Sequence, residues 1–249
     1  MRIYLILMLF LVGCAHGPVE DEKFTIRTYL QSTPSSTIIV VHGSGGVTSH
    51  EESWAQTLKS QGYNSVILDS YSMRGISSHP GVVRRDFTAD DRAREIVKLA
   101  NWVSLQSWHK GKIGLIGFSQ GGSAVLAVAS ESRMMIMHKI QPSNIKKIDF
   151  AVLYYPGCQI VPPDRDPLFP IQLHLAESDD LAQPWRCYLG TSNLKNYEVS
   201  LYENARHTFD WHRGDVFING RHFSFNKEAN AVSREKTKKF MHKWSSLKN

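Results

Sequence analysis

Residues 112–126, KIGLIGFSQGGSAVL, run apolar up to a serine set among glycines and then resume with small and branched apolar side chains. Residues 113–118 read as a short buried strand, and residues 121–130 as the start of a helix of small residues. A G-x-S-x-G pattern alone is common enough to arise by chance. Between a strand and a helix it has a physical purpose. Such a turn strains the serine backbone, and Gly117, Gly121 and Gly122 lack the Cβ atoms that would collide as helix packs on strand. The Ser119 hydroxyl is then lifted clear of the sheet, as a nucleophile requires.

Working outward, strands alternate with helices, the pattern of a mainly parallel sheet covered on both faces. The expected strands are an edge strand over residues 23–30, then residues 37–41, 65–68, 113–118, 150–154, 171–175 and 197–201. The clearest helix spans Ala89–Val103, where Ala93, Ile96, Val97, Ala100 and Val103 recur at helical spacing behind a Thr88 cap. With 249 residues, 42% hydrophobic and 21% charged, the chain suits one α/β domain over residues 23–249. The net charge of +6 is spread out except in residues 233–244, SREKTKKFMHKW. There Val232, Phe240, Met241 and Trp244 can form the buried face of a terminal helix, so its lysines read as the solvated side and nucleic acid is not an expected partner.

The first residues stand apart from the fold. MRIYLILMLFLVGC, residues 1–14, has a short basic start, an apolar stretch too short to span a bilayer, and a small residue before cysteine. Residues 1–13 read as a signal peptide, and Leu11 to Cys14 resemble the lipobox of bacterial lipoproteins. Acylation of Cys14 would hold the exported protein at a membrane surface in the cell envelope, with residues 14–22 as a lipidated tether. A plain secretory signal with an incidental cysteine is the competing reading.

Ligands of open α/β sheets gather beyond the carboxyl ends of the strands, and the polar clusters fall there. VVHGSGGV, residues 40–47, is a glycine-rich turn that can aim unpaired amides at a developing oxyanion. No G-K-[ST] follows, which argues against a phosphate loop. The backbones of Ser44 and Gln120 are the expected donors, with Gly45 as fallback, and His42 is expected to hold the turn. A serine needs a base, and the base needs a carboxylate to set its tautomer. AESDDLAQPW, residues 176–185, supplies Asp179 and Asp180 after one strand, and ENARHTFDW, residues 203–211, supplies His207 after the next. Serine, acid, histidine is the chain order of α/β-hydrolases. Arg74, in SYSMRG, fits either contact with an anionic substrate group or a structural ion pair.

Together VVHGSGG, LDSYSMRG, GLIGFSQGGSAVL, YYPGC, AESDDLAQPWRC and ARHTFDW resemble the dienelactone hydrolase family of α/β-hydrolases over about residues 37–211. The resemblance implies hydrolysis of small carboxylic esters or lactones without a metal or organic cofactor. It also selects Asp179, three residues after the small Ala176, over Asp180, and His207 over His212 and His222. The founding members carry cysteine at the elbow where this chain has Ser119, which counts against dienelactone itself as substrate. Two other functions fit the same pattern: a catalytically silent binding or scaffold lipoprotein, and a peptidase. Residues 213–230, RGDVFINGRHFSFNKEAN, are too short for a domain and suit a flap. With Cys14 set aside, Cys158 and Cys187 form an even pair beyond adjacent strands of an exported chain, so a disulfide is expected.

Overall fold

The computed structural model describes residues 24–76, 87–140, 145 and 147–246, so the leader, Cys14 and the tether lie outside the described residues. Seven strands form one sheet in the order β1-β3-β2-β4-β5-β6-β7. They are β1 (Ile26–Tyr29), β2 (Ser35–Val41), β3 (Asn64–Leu68), β4 (His109–Phe118), β5 (Phe150–Tyr154), β6 (Ile171–Ala176) and β7 (Tyr197–Tyr202). Only β1 runs antiparallel to its neighbour. The architecture is the α/β-hydrolase fold.

Both faces of the sheet are covered, which explains why its central strands are continuous apolar runs. In β2, Ile38 and Val40 pack with Trp54 and Leu58 of α1 (Ser49–Ser60) and with Phe240 and Met241 of α6 (Lys227–Ser246). The alternate residues Ile39 and Val41 pack with Ile96 and Ala100 of α2 (Ala89–Val103) and Val125 of α3 (Gln120–Ala129). Two shorter helices, α4 (Glu131–His138) and α5 (Pro184–Thr191), complete that side. α1 and α2 each begin with a capping box, Thr48 with Glu51 and Thr88 with Asp91, which pairs amides that would otherwise be orphaned.

Several expectations need adjustment. The first strand is shorter than residues 23–30, because only Ile26 to Tyr29 find partners on β3. β4 starts four residues early, since polar His109 pairs with Ser35 at the sheet margin, where no apolar pattern is required. In α6 the buried face is Ala229, Ser233, Thr237, Phe240 and Met241, and Val232 is exposed. The small and hydroxyl side chains set the helix register against β5 and β6, as the Tyr154 hydroxyl bonds Thr237 Oγ1 at 2.9 Å. Residues 213–230 contain a hairpin of β8 (Val216–Ile218) and β9 (Arg221–Phe223), followed by the start of α6.

Candidate active site

Ser119 sits between β4 and α3 with φ 52° and ψ −117°, a conformation that side-chain-bearing residues rarely adopt. The residues two positions to either side must be glycine. A Cβ on Gly121 would overlap the carbonyl oxygens of Val41 and His42, and one on Gly117 would lie 2.9 Å from the Gly121 carbonyl oxygen. The Ser119 amide is held by the Tyr154 carbonyl at 3.0 Å. The strained turn is thus tied to β5 while its hydroxyl faces the cleft.

β6 and β7 deliver the partners. Asp179 follows β6 in a turn whose amide bonds Ala176 at 3.2 Å, and His207 lies five residues beyond β7. His207 Nδ1 is 2.6 Å from Asp179 Oδ2, and His207 Nε2 is 2.8 Å from Ser119 Oγ. The other oxygen of Asp179 accepts the amides of Leu181 and Ala182 at 2.8 and 2.9 Å. Burial alone would raise the Asp179 carboxyl, but the charge and hydrogen bond of His207 and those two amides outweigh it and hold it below the ordinary value. A carboxylate so placed orients the imidazole with a proton on Nδ1 and leaves Nε2 free to accept one from the serine.

Asp180 is employed differently. Its carbonyl accepts Arg221 Nη1 at 2.5 Å and its carboxylate accepts the His222 amide at 3.3 Å, so it fastens the β8–β9 hairpin. That hairpin brings Phe223 into the cleft wall, with its ring 5.6 Å from the His207 ring. His222 stacks flat on Phe217, His212 packs at a tilt against Phe225, and neither is bonded to Ser119.

The cleft has two arms that meet at Ser44, Ser119, Leu181 and His207. One continues past residues 43–46 to His50, Trp211 and Phe223, and the other past Gln120 and Ser123 to Gly157 and Ile160. Ser44 and Gln120 therefore both border the space above Ser119. Gln120 opens α3, so its amide has no intrahelical acceptor. Gly45 lines only the first arm. Arg74 lines neither arm; it pairs with Glu95, donates to the Ser70 carbonyl at 3.0 Å and stacks over Phe87. His42 is buried, with Nδ1 2.6 Å from the Gly43 carbonyl, and burial followed by the nearby Arg92 charge lowers it to about 3, so it is neutral. Cys158 and Cys187 are joined, with their Cα atoms 5.3 Å apart, tying the chain after β5 to α5 beside the second arm.

A second polar cluster backs the first arm. Asp210 accepts His50 Nε2 and Trp54 Nε1 at 2.8 Å each and the Tyr155 hydroxyl at 2.7 Å. Burial opposes both charges, yet their mutual attraction prevails: His50 rises to about 9 and Asp210 falls to about 2. The Tyr155 ring lies 4.6 Å from that of His207. No local pattern marks these residues as partners. The signals that do exist are the Thr48–Glu51 capping box, which places His50 in a first turn, and the closeness of Asp210 to His207 in HTFDW.

The family model for the dienelactone hydrolase family matches residues 26–245. The chain belongs to the dienelactone hydrolase family, and with it is a carboxylic ester hydrolase. Among solved structures it is similar to a dienelactone hydrolase-like promiscuous phosphotriesterase from metagenomic libraries, at 16% identity and TM-score 0.67, covering 88% of this chain and 92% of that one. It is likewise similar to a carboxylesterase from Lactobacillus plantarum, at 15% identity and TM-score 0.61, covering 91% and 95%. A thermophilic esterase from the planctomycete Thermogutta terrifontis, with propionate bound, aligns at 14% identity and TM-score 0.63 over 93% and 94%. No curated protein matches the sequence.

Proposed function

We propose that the protein is a serine hydrolase of small carboxylic esters or lactones that works through an acyl-enzyme. The observation that carries this reading is the continuous chain Asp179–His207–Ser119, with links of 2.6 and 2.8 Å, ending on a strained serine in an open cleft. Ser119 Oγ forms a bond to the substrate carbonyl carbon as its proton passes to His207 Nε2. The carbonyl oxygen becomes an oxyanion and is met by the amides of Ser44 and Gln120. Collapse breaks the bond to the leaving alcohol, which takes the proton from His207. Water, deprotonated by the same nitrogen, then releases the acid and restores Ser119. The propionate bound to the Thermogutta esterase supports a short acyl group as the first substrate to try.

Export and lipid attachment at Cys14 belong to the same reading, supported by the leader at residues 1–14. Radiolabelled palmitate should enter the wild-type chain and not Cys14→Ser; equal labelling of both, or of neither, refutes the attachment. For the chemistry, a panel of p-nitrophenyl esters and lactones is assayed on wild type and Ser119→Ala, alongside labelling by a fluorophosphonate, which esterifies an activated serine. Turnover and labelling that vanish together in Ser119→Ala uphold the proposal. Turnover that survives the substitution overturns it.

A further inference from the structure

Arg92 has no exposed surface, although it ends in a guanidinium. It stands on α2 and reaches the carboxyl end of the sheet. Nη2 donates to the His42 carbonyl at 2.7 Å and Nη1 to Gln120 Oε1 at 3.3 Å. The same Gln120 oxygen accepts the Tyr71 hydroxyl at 3.0 Å. Among the described residues none of these hydrogen bonds runs from Arg92 to a carboxylate. Burial lowers Arg92 only to about 10, with Tyr71 and Glu95 opposing the fall, so it remains charged at neutral pH. A buried cation held by neutral acceptors is costly, and core packing alone would favour an apolar side chain there.

The acceptors show what it holds. The His42 carbonyl begins the turn that carries Ser44, and Gln120 begins α3 directly after Ser119. These turns leave neighbouring strands, β2 and β4, whose pairing ends at Val41 and Gly117, and beyond that point the ladder no longer holds them together. They approach so closely that only glycine fits at residue 121, against the oxygens of Val41 and His42. Carbonyl oxygens buried against the start of α3 need donors. An Arg92 N–H engages that of His42.

We propose that Arg92 is a positioning residue for oxyanion stabilisation, tying the Ser44 turn to the Gln120 turn and placing a buried positive charge behind both. The inference rests on the ester-hydrolase reading of Ser119. Arg92 touches no substrate, so ground-state binding should be nearly indifferent to it, whereas the charged intermediate should not.

The test uses the full chain with Arg92→Met, Arg92→Lys and Gln120→Met, the last of which keeps its backbone amide and loses only the tether. For each, kcat and KM on a p-nitrophenyl ester are measured beside the Ki of an alkyl trifluoromethyl ketone, which adds to the serine as a charged hemiketal. Fluorophosphonate labelling of Ser119 checks separately that the underlying reading holds. Arg92→Met should lower kcat roughly 10- to 100-fold, less than the 10²–10³ typical of a lost hole donor. KM should change by less than about threefold, Ki should rise in step with the fall in kcat, and Arg92→Lys should recover part of both. Should Arg92→Met fail to fold, the other two decide. A matched loss of kcat and ketone affinity upholds the proposal. Ketone affinity within twofold of wild type in folded variants, or a loss confined to KM, overturns it.

Discussion

Two aspartate–histidine pairs hang on one loop of this protein: His207 of that loop pairs with Asp179 at 2.6 Å, and Asp210, three residues on, pairs with His50 at 2.8 Å. All four residues are buried. What differs is the far side of each pair. The second nitrogen of His207 meets a strained serine hydroxyl in the cleft, whereas that of His50 lies 3.7 Å from Glu51. Asp179 spends its second oxygen on two backbone amides that fix its loop, whereas Asp210 spends its own on the Tyr155 hydroxyl and shares the oxygen facing His50 with Trp54 Nε1. The first pair leaves one nitrogen facing the Ser119 hydroxyl. The second has locked its proton in place, with His50 raised to about 9. An aspartate–histidine pair becomes chemistry only when a reactive group occupies the remaining nitrogen.

Breaking the first pair should be felt in turnover. Ser119→Ala should lower kcat by about 10⁴- to 10⁶-fold while thermal unfolding stays near wild type, since the hydroxyl projects into the cleft. Asp179→Asn should cost about 10⁴-fold in kcat, because an amide presents the wrong tautomer to His207. Asp180→Asn, which touches only the hairpin, should cost less than about tenfold in the same assay. Equal effects of the two asparagines would contradict the geometry.

Breaking the second pair should be felt in stability. Asp210→Asn removes the nearer of the two carboxylates facing the buried His50 and should destabilise by about 3–5 kcal/mol in urea titrations, with a far smaller loss of kcat than Asp179→Asn. Next in size, reduction of Cys158–Cys187 opens a loop of sequence separation 29 and should cost about 3.6 kcal/mol, read as a lowered Tm after treatment with a thiol.

The smallest effect expected is a pH dependence. The folded-state value of His50 lies above its ordinary 6.5, at about 9. Its contribution to stability is therefore full below about pH 6.5 and is lost as pH rises through about 9. Asp210, lowered to about 2, contributes above about pH 4 and loses its share only as pH falls through 2. Urea midpoints measured from pH 6.5 to 9.5 should decline in wild type and decline less in His50→Gln. Parallel profiles would show that the pair is not the source.

Much of the setting of Ser119 was legible in residues 112–126. Glycine spacing, strand and helix periodicity, and turn strain act within a few residues, so local physics decides them. The order serine, aspartate, histidine at the ends of β4, β6 and β7 could be read the same way, because each loop announces itself after an apolar run. The choice between Asp179 and Asp180 could not be read from local physics. Adjacent carboxylates in one turn are equivalent until the fold aims one at His207 and the other at the hairpin.

By itself, then, the sequence determined an α/β sheet with a strained serine at its centre and its partners at the strand ends, because these depend on short-range sterics and periodicity. The tertiary structure alone decided the pairing of His50 with Asp210, 160 residues away, and of Arg92 with His42 and Gln120, 50 and 28 residues away. A buried charge is tolerated only where distant acceptors converge on it, and that convergence is a property of the assembled sheet and helices that no local stretch of chain contains.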